Sequence, residues 1–273
     1  MKSFVHEKGW ACCVVARLST IWCALRRPSR GGVRRIGWRT IALIGGGFLM
    51  VFVLTMVLFD VQAITAARSL PENLIAISRV ISDLGKVGWF LIPLAALLAV
   101  LCLAPAKLPR SLQAVSAAIF ARAGFLFLAI AVPYGVNAIL KQAIGRARPF
   151  VGGSANAYLY HPFRLGPAYA SLPSNHATTV CAAAVAIGAI FPRLRMLMWV
   201  YAALVMVSRV VVIAHHPSDV IAGALVGTAG ALLVRNYFAS RRIVFGVIPD
   251  GSVEAFANPS WRRIKAALRR VFH

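Results

Sequence analysis

The chain has 273 residues, of which 60% are hydrophobic and only 14% charged, and its thirty Lys and Arg against seven Asp and Glu give a net charge of +23. That apolar content excludes an ordinary soluble domain and reads as a polytopic membrane protein. The excess positive charge would suggest a nucleic-acid partner in a soluble protein, but here its placement argues against nucleic acid.

Six stretches are apolar enough to span a bilayer: 40–59, 87–106, 123–140, 177–191, 196–214 and 220–234. The fourth and sixth are short against the ~20 residues that a hydrocarbon core requires, so both are expected to extend into neighbouring neutral residues. The expected fold is therefore all-α, a bundle of six transmembrane helices. Its membrane domain covers 40–238, between a basic N-terminal segment (1–39) and a basic C-terminal tail (239–273). Neither an internal repeat nor a low-complexity linker is evident.

Basic residues crowd the two ends, from Arg17 to Arg39 and from Arg241 to Arg270. With six spans both termini lie on one side, and the positive-inside rule makes that side cytoplasmic. Lys107, Arg110, Arg193 and Arg195 in the short loops agree. Dense arginine usage and compact loops point to a bacterial inner membrane. The first segment does not read as a signal peptide, because Arg17 interrupts its apolar part. Trp10, Val14, Leu18, Ile21, Trp22 and Leu25 suggest an interfacial amphipathic helix, and Trp261, Ile264, Leu268 and Val271 a second apolar stripe flanked by cations. Five cysteines, scattered near one end or within spans, imply no disulfide framework.

Three segments, all on the exterior side by this topology, hold the unusual polar residues. The first runs from Lys141 to Pro149, where the proline ends a helix at or before Arg148. Snorkelling would explain Lys141, Arg146 and Arg148 in isolation, but they stand on the side where the positive-inside rule does not ask for cations, so an anion is expected there. The second is Ser171 to His176, which reads as a helix start. A helix N-terminus offers free backbone amides, so a cap and a phosphate site are one physical object. The third is Ser208 to Asp219, in which Pro217 begins the last span and His215 and His216 occupy a tight turn. Arg209, buried near the end of an apolar span, needs a partner. Asp219 is the lone acid between Lys86 and Arg235.

This inventory sets several chemistries aside. A single carboxylate excludes paired-acid hydrolysis. The surrounding cations would repel a zinc ion from His176, His215, His216 and Asp219, so no metal and no cofactor is expected. Neither a nucleophile elbow nor a phosphate loop is present. Histidine chemistry on a phosphate remains. Lys141, Arg148 and Arg209 can hold the non-bridging oxygens, one neutral imidazole oriented by the carboxylate can attack phosphorus, and a second can protonate the leaving oxygen.

Lys141 with six residues before Arg148-Pro149, then Pro173-Ser174-Asn175-His176, then Ser208-Arg209 with five residues before His215 and three more before Asp219, resemble the three signature motifs of the type 2 phosphatidic acid phosphatase (PAP2) family. The resemblance implies a PAP2-like helical bundle and a metal-independent lipid phosphate or diphosphate phosphatase working through a phosphohistidine. In it His215 is the nucleophile, Asp219 its orienting partner and His176 the general acid, while Lys141, Arg148, Ser174, Arg209 and the amide of Asn175 bind phosphate. His216 lies three residues from Asp219 and breaks the family spacing. The family most often has glycine at the position of Asn175, and asparagine tolerates the left-handed backbone that a glycine there would allow.

The substrates so implied are a phosphatidate, phosphatidylglycerol phosphate, undecaprenyl diphosphate or the phosphates of lipid A, met at the exterior membrane face. His161 and Arg164, in the loop between the third and fourth spans, are candidates to read a headgroup. A lipid phosphotransferase using the same site and a non-enzymatic lipid-phosphate carrier are the alternatives. The related vanadate haloperoxidases share similar motifs but not six spans with a lipid-facing site.

Overall fold

A computed structural model describes residues 26–29, 32–33, 37–103, 110–257 and 265. The two amphipathic stripes expected near the ends, and Cys12, Cys13 and Cys23, lie outside these residues. The helices are α1 (Trp38–Leu58), α2 (Asp60–Arg68), α3 (Glu72–Leu84), α4 (Gly88–Leu103), α5 (Arg110–Ile144), α6 (Asn175–Ile190), α7 (Arg195–Val211) and α8 (Pro217–Ser240). A small antiparallel hairpin follows, β1 (Phe245–Val247) on β2 (Val253–Ala255), which the all-α expectation lacked.

Five segments are long and apolar enough to cross a membrane: Trp38–Leu58, Glu72–Leu103, Leu112–Ile144, Pro192–Val211 and Pro217–Ser240. The expected fourth span is the shorter apolar helix Asn175–Ile190, so the length criterion is met by five of the six. Its brevity has a physical reason. Eleven of the sixteen residues of α6 are buried in protein, whereas α1 and α4 bury none. A helix enclosed by other helices does not have to match the hydrocarbon thickness itself, and small residues such as Ala182, Ala183 and Ala184 let neighbours approach. The apolar exterior of α1, with Trp38, Leu43 and Leu49 exposed, is what a lipid-facing helix presents.

The chain divides into two compact units. Among the described residues, one comprises 26–29, 32–33, 91–103, 110–128, 234–257 and 265. In it Phe125 is fully buried, with Phe238 and Phe245 edge-on at 5.5 and 4.8 Å between ring centroids, and Arg122 Nη2 donates to the carbonyls of Phe256 and Ala257.

The other unit comprises 35–90 and 129–233 and contains all three motif segments. Its core joins α6 and α7 through Val180, Cys181, Ala184, Ala202 and Val205. Helix α8 packs against α6 by close backbone approach. A Cβ on Gly223 would come within 2.5 Å of the Ser174 carbonyl, and one on Gly227 within 2.2 Å of the Thr178 carbonyl. Two glycines four residues apart leave a groove that another helix can enter, and Thr178 Oγ1 closes it by donating to the Gly223 carbonyl at 3.1 Å. The turn after α3 is pinned by Tyr201, whose hydroxyl donates to the Leu84 carbonyl, and by Trp89 Nε1 on the Asp83 carbonyl.

Candidate active site

The three motif segments arrive at the site from different helix ends. Lys141 is in the last turn of α5, Ser174 is the N-cap of α6, Arg209 is in the last turn of α7, and Asp219 is in the first turn of α8, which Pro217 opens. His215 and His216 occupy the turn between α7 and α8. A cavity of about 190 Å³ is lined by Lys141, Arg148, Asn175, His176, Arg209 and His215, together with the turn Gly85–Gly88, Tyr134 and Thr179.

The cavity is rich in donors. Ser174 Oγ, Arg148 Nε and Arg209 Nε are buried with no hydrogen-bond partner in the chain. Buried polar groups normally find partners, so two such donors on the cavity wall, with the Ser174 hydroxyl next to the lining residue Asn175, mark a place for an anion. The first residues of α6 add backbone amides that have no intrahelical acceptor. Lys141 Nζ donates to the carbonyls of Ala170 and Ser171, and Arg209 Nη1 to Ser82 Oγ, which fixes both cations in place. Burial pushes the Arg148 guanidinium below its ordinary pKa.

His215 is 1% exposed, and its Nδ1 lies 3.7 Å from Asp219 Oδ2. The direct pair expected from the spacing is thus looser than a hydrogen bond, and Ser171 stands between the two. Its Oγ donates to Asp219 Oδ2 at 2.6 Å and is 3.4 Å from His215 Nδ1. These contacts assign the imidazole proton to Nδ1 and leave Nε2 unprotonated. Burial lowers the His215 pKa to about 4, against the opposing negative charge of Asp219, so the ring is neutral at pH 7. His216 Nδ1 is nearer to Asp219 Oδ2, at 3.4 Å, but the cavity lining includes His215 and not His216. Only its backbone N–H reaches the carboxylate, at 3.0 Å.

Three sequence-based readings change. No second carboxylate was expected near Asp219, yet Asp60, from the start of α2, is fully buried and shares Arg146 with it. Arg146 does not face an exterior anion. It is 0% exposed, with Nη1 on Asp219 Oδ1 at 2.6 Å and Nη2 on Asp60 Oδ2 at 2.7 Å. Burial works against its charge, yet Asp219 and Asp60 hold its pKa above the ordinary value. Both carboxylates are engaged by this guanidinium and neither lines the cavity, so paired-acid hydrolysis still does not fit. Asn175 adopts a helical backbone, without a left-handed φ, and accepts from Asn137 Nδ2 through its side chain. The candidate headgroup residues sit together: His161 meets the Tyr169 ring edge-on at 4.8 Å between centroids, the Arg164 guanidinium lies 4.5 Å over that ring, and neither lines the cavity.

Sequence reasoning missed Asp60, Ser82, Lys86, Asn137, Ser171 and Ser218 as members of the site. Ser171 and Ser218 stood inside segments already singled out. Among the described residues no group of three or more His, Cys, Asp or Glu has metal-binding geometry.

An apolar helical protein with a basic, histidine-bearing cavity at its helix ends belongs to the integral-membrane class. Comparison with known proteins gives the family. The model of the PAP2 superfamily matches residues 122–243, which include every motif position from Lys141 to Asp219. A lipid A 1-phosphatase of Rhizobium johnstonii is 32% identical over 239 residues, covering 86% of this chain and 96% of that protein. A lipid A 1-phosphatase of Rhizobium etli is 33% identical over 200 residues, covering 72% and 85%. Among solved structures, a transmembrane PAP2-type phosphatidylglycerolphosphate phosphatase from Bacillus subtilis aligns with a TM-score of 0.49 at 19% identity, over 70% of this chain and 94% of that one. The chain belongs to the PAP2 superfamily and is a membrane-bound phosphatase.

Proposed function

We propose that this phosphatase removes phosphate from a membrane lipid through a phosphohistidine on His215, with a glycolipid phosphate of the lipid A class as the favoured substrate. The observation that carries the chemistry is the cavity itself, where a neutral imidazole stands among Lys141, Arg148 and Arg209 beside a second histidine. The substrate class rests on the two Rhizobium relatives, both lipid A 1-phosphatases.

In the first step the lone pair of His215 Nε2 forms a bond to phosphorus while the bond from phosphorus to the lipid oxygen breaks. His176, as an imidazolium beside the bound phosphate anion, gives one proton to that oxygen and becomes neutral, and the lipid leaves as the alcohol. In the second step His176 takes a proton from water, the oxygen bonds to phosphorus, and the N–P bond breaks to return neutral His215 and inorganic phosphate. The three cations, the Ser174 hydroxyl and the amides at the start of α6 balance the charge that spreads over the equatorial oxygens. With fixed cations in this role, the reaction proceeds without a metal. The charge distribution supports an exterior, periplasmic site with both termini cytoplasmic, the arrangement in which headgroup phosphates of the outer leaflet reach the cavity.

The test is phosphate release by the purified, detergent-solubilised protein from lipid A, phosphatidate, phosphatidylglycerol phosphate and undecaprenyl diphosphate in excess chelator. The reading expects release that survives chelation, is fastest with lipid A, and falls on the order of 10³-fold or more in His215→Ala. Loss of activity on chelation, or an active His215→Ala, would overturn it. Transfer of phosphate to a second lipid in place of water would make the enzyme a phosphotransferase.

A further inference from the structure

Asp219 is held at both oxygens. Oδ1 accepts from Arg146 Nη1 at 2.6 Å, and Oδ2 accepts from Ser171 Oγ at 2.6 Å and the His216 amide at 3.0 Å. Behind it Arg146 donates to Asp60 Oδ2 at 2.7 Å, to Ser218 Oγ at 2.7 Å and through Nε to the Ala157 carbonyl at 3.0 Å. Asp60 Oδ1 accepts the Ser218 amide at 2.9 Å, so a carboxylate from α2 caps the N-terminus of α8. Asp60, Arg146, Ser171, Ser218 and Asp219 are all 0% exposed.

Two carboxylates share one guanidinium in this arrangement, leaving one net negative charge. Arg146 therefore fixes the direction of the Asp219 carboxylate without cancelling its charge against the imidazole. The shortest hydrogen-bonded route from that charge to His215 passes through a hydroxyl: Asp219 Oδ2 to Ser171 Oγ, then to His215 Nδ1 at 3.4 Å, against 3.7 Å for the direct approach. None of Asp60, Arg146 and Ser171 lines the cavity, so none is placed to touch a substrate.

We propose that Asp60 and Arg146 form a buried brace for Asp219 and that the Ser171 hydroxyl links Asp219 to His215 Nδ1, making these three the positioning residues of phosphoryl transfer. This rests on the reading of His215 as nucleophile. As phosphorus bonds to Nε2 the ring becomes cationic and Nδ1–H a stronger donor, so a fixed acceptor chain stabilises the transition state more than the bound substrate.

The test compares full-length wild-type protein with Ser171→Ala, Ser171→Thr and Asp60→Asn in detergent, using kcat, KM and inhibition by two oxyanions. Orthovanadate mimics the five-coordinate transition state bonded to histidine, and inorganic phosphate mimics the ground state. The expected signature of Ser171→Ala and Asp60→Asn is a kcat lower by about 10- to 100-fold and a vanadate inhibition constant raised by a similar factor. KM and the phosphate inhibition constant stay within about threefold, and Ser171→Thr recovers most of the loss. If Asp60→Asn does not fold, Ser171→Ala decides. Wild-type kcat in Ser171→Ala, or KM and phosphate inhibition shifting together with kcat, overturns the proposal while the nucleophile stands. A wild-type protein that vanadate does not inhibit and that carries no phosphohistidine sinks the underlying reading instead.

Discussion

The side-chain amide of Asn137, on α5, donates to Oδ1 of Asn175, the first residue of α6, and also to the Pro173 carbonyl at 3.2 Å. A side chain where the family most often has glycine is thus anchored by a buried partner, while the helical backbone at 175 keeps its amide at the cavity. Asn175→Gly is expected to lower stability by about 1 kcal/mol, the worth of one such hydrogen bond, and to leave kcat within about threefold because the backbone amide persists. Thermal melts of the solubilised protein beside phosphate-release rates measure both. A large kcat loss without a stability change would mean that the Asn175 side chain itself contacts the phosphate.

Lys86 is the cavity-lining cation that stays mostly in solvent. Its side chain is 58% exposed and its ammonium rests on Asp83 at 2.9 Å, whereas Lys141 is buried. An exposed charge at the cavity edge attracts an anionic headgroup without acting on the reacting atoms. Lys86→Ala is therefore expected to raise KM by about two- to fivefold with kcat unchanged, an effect that shrinks as salt screens the charge. Steady-state kinetics at low and high ionic strength check it, and a fall in kcat at saturating lipid would place Lys86 nearer the chemistry.

The motif residues were legible because their spacing is local. Lys141 to Arg148 and Ser174 to His176 each span one helix end and the backbone beside it, and Arg209 to Asp219 spans two helix ends joined by a tight turn, so spacing fixes geometry. Asp60 and Ser82 were not legible, because what makes them matter is contact, of Asp60 with Arg146 and Ser218 and of Ser82 with Arg209, between elements far apart in sequence. Helix α3 was passed over for a related reason: Ser78, Ser82 and Asp83 dilute its hydropathy, so only the apolar α4 stood out as a span. Arg146 is the instructive case. It stands two residues from Arg148 in the non-helical stretch after α5, a spacing that would put both side chains on one side of a regular extended strand. Charge and proximity made the two arginines look alike, yet Arg148 meets the cavity and Arg146 turns inward to two acids.

The burial of His215 sets a pH dependence. Its pKa falls from an ordinary value of 6.5 to about 4, chiefly because burial disfavours the charged ring. In free enzyme the nucleophile is therefore neutral down to about pH 4, and the acid limb of kcat/KM assigned to it is expected near pH 4 and not near 6.5. Stability follows the same sign. A lowered folded-state pKa means that the unfolded chain binds the extra proton, so this contribution is complete above pH 6.5 and is lost as pH falls toward 4. Profiles of kcat/KM, with melts at pH 7 and pH 5, test both statements. A nucleophile limb near 6.5 that disappears on changing His215 would contradict the depressed value.

Removing Arg146 should be more damaging than its distance from the phosphate suggests. Arg146→Met fills much of the same volume but leaves Asp60 and Asp219, both 0% exposed, without the guanidinium that lies between them. Breaking a buried pair in this way costs about 3–5 kcal/mol, because the remaining charge is left uncompensated. That loss is comparable to the whole stability of many domains, so the single variant is expected to melt early and accumulate poorly. The remedy that electrostatics prescribes is to neutralise both acids. Adding Asp60→Asn and Asp219→Asn to Arg146→Met should restore much of the melting temperature, since no unpaired charge remains, while phosphate release stays abolished because nothing is left to hold His215 with a carboxylate. Recovery of both folding and activity in the triple variant would show that the Asp219 charge is dispensable to the reaction, and recovery of neither would assign Arg146 a packing role beyond its charge.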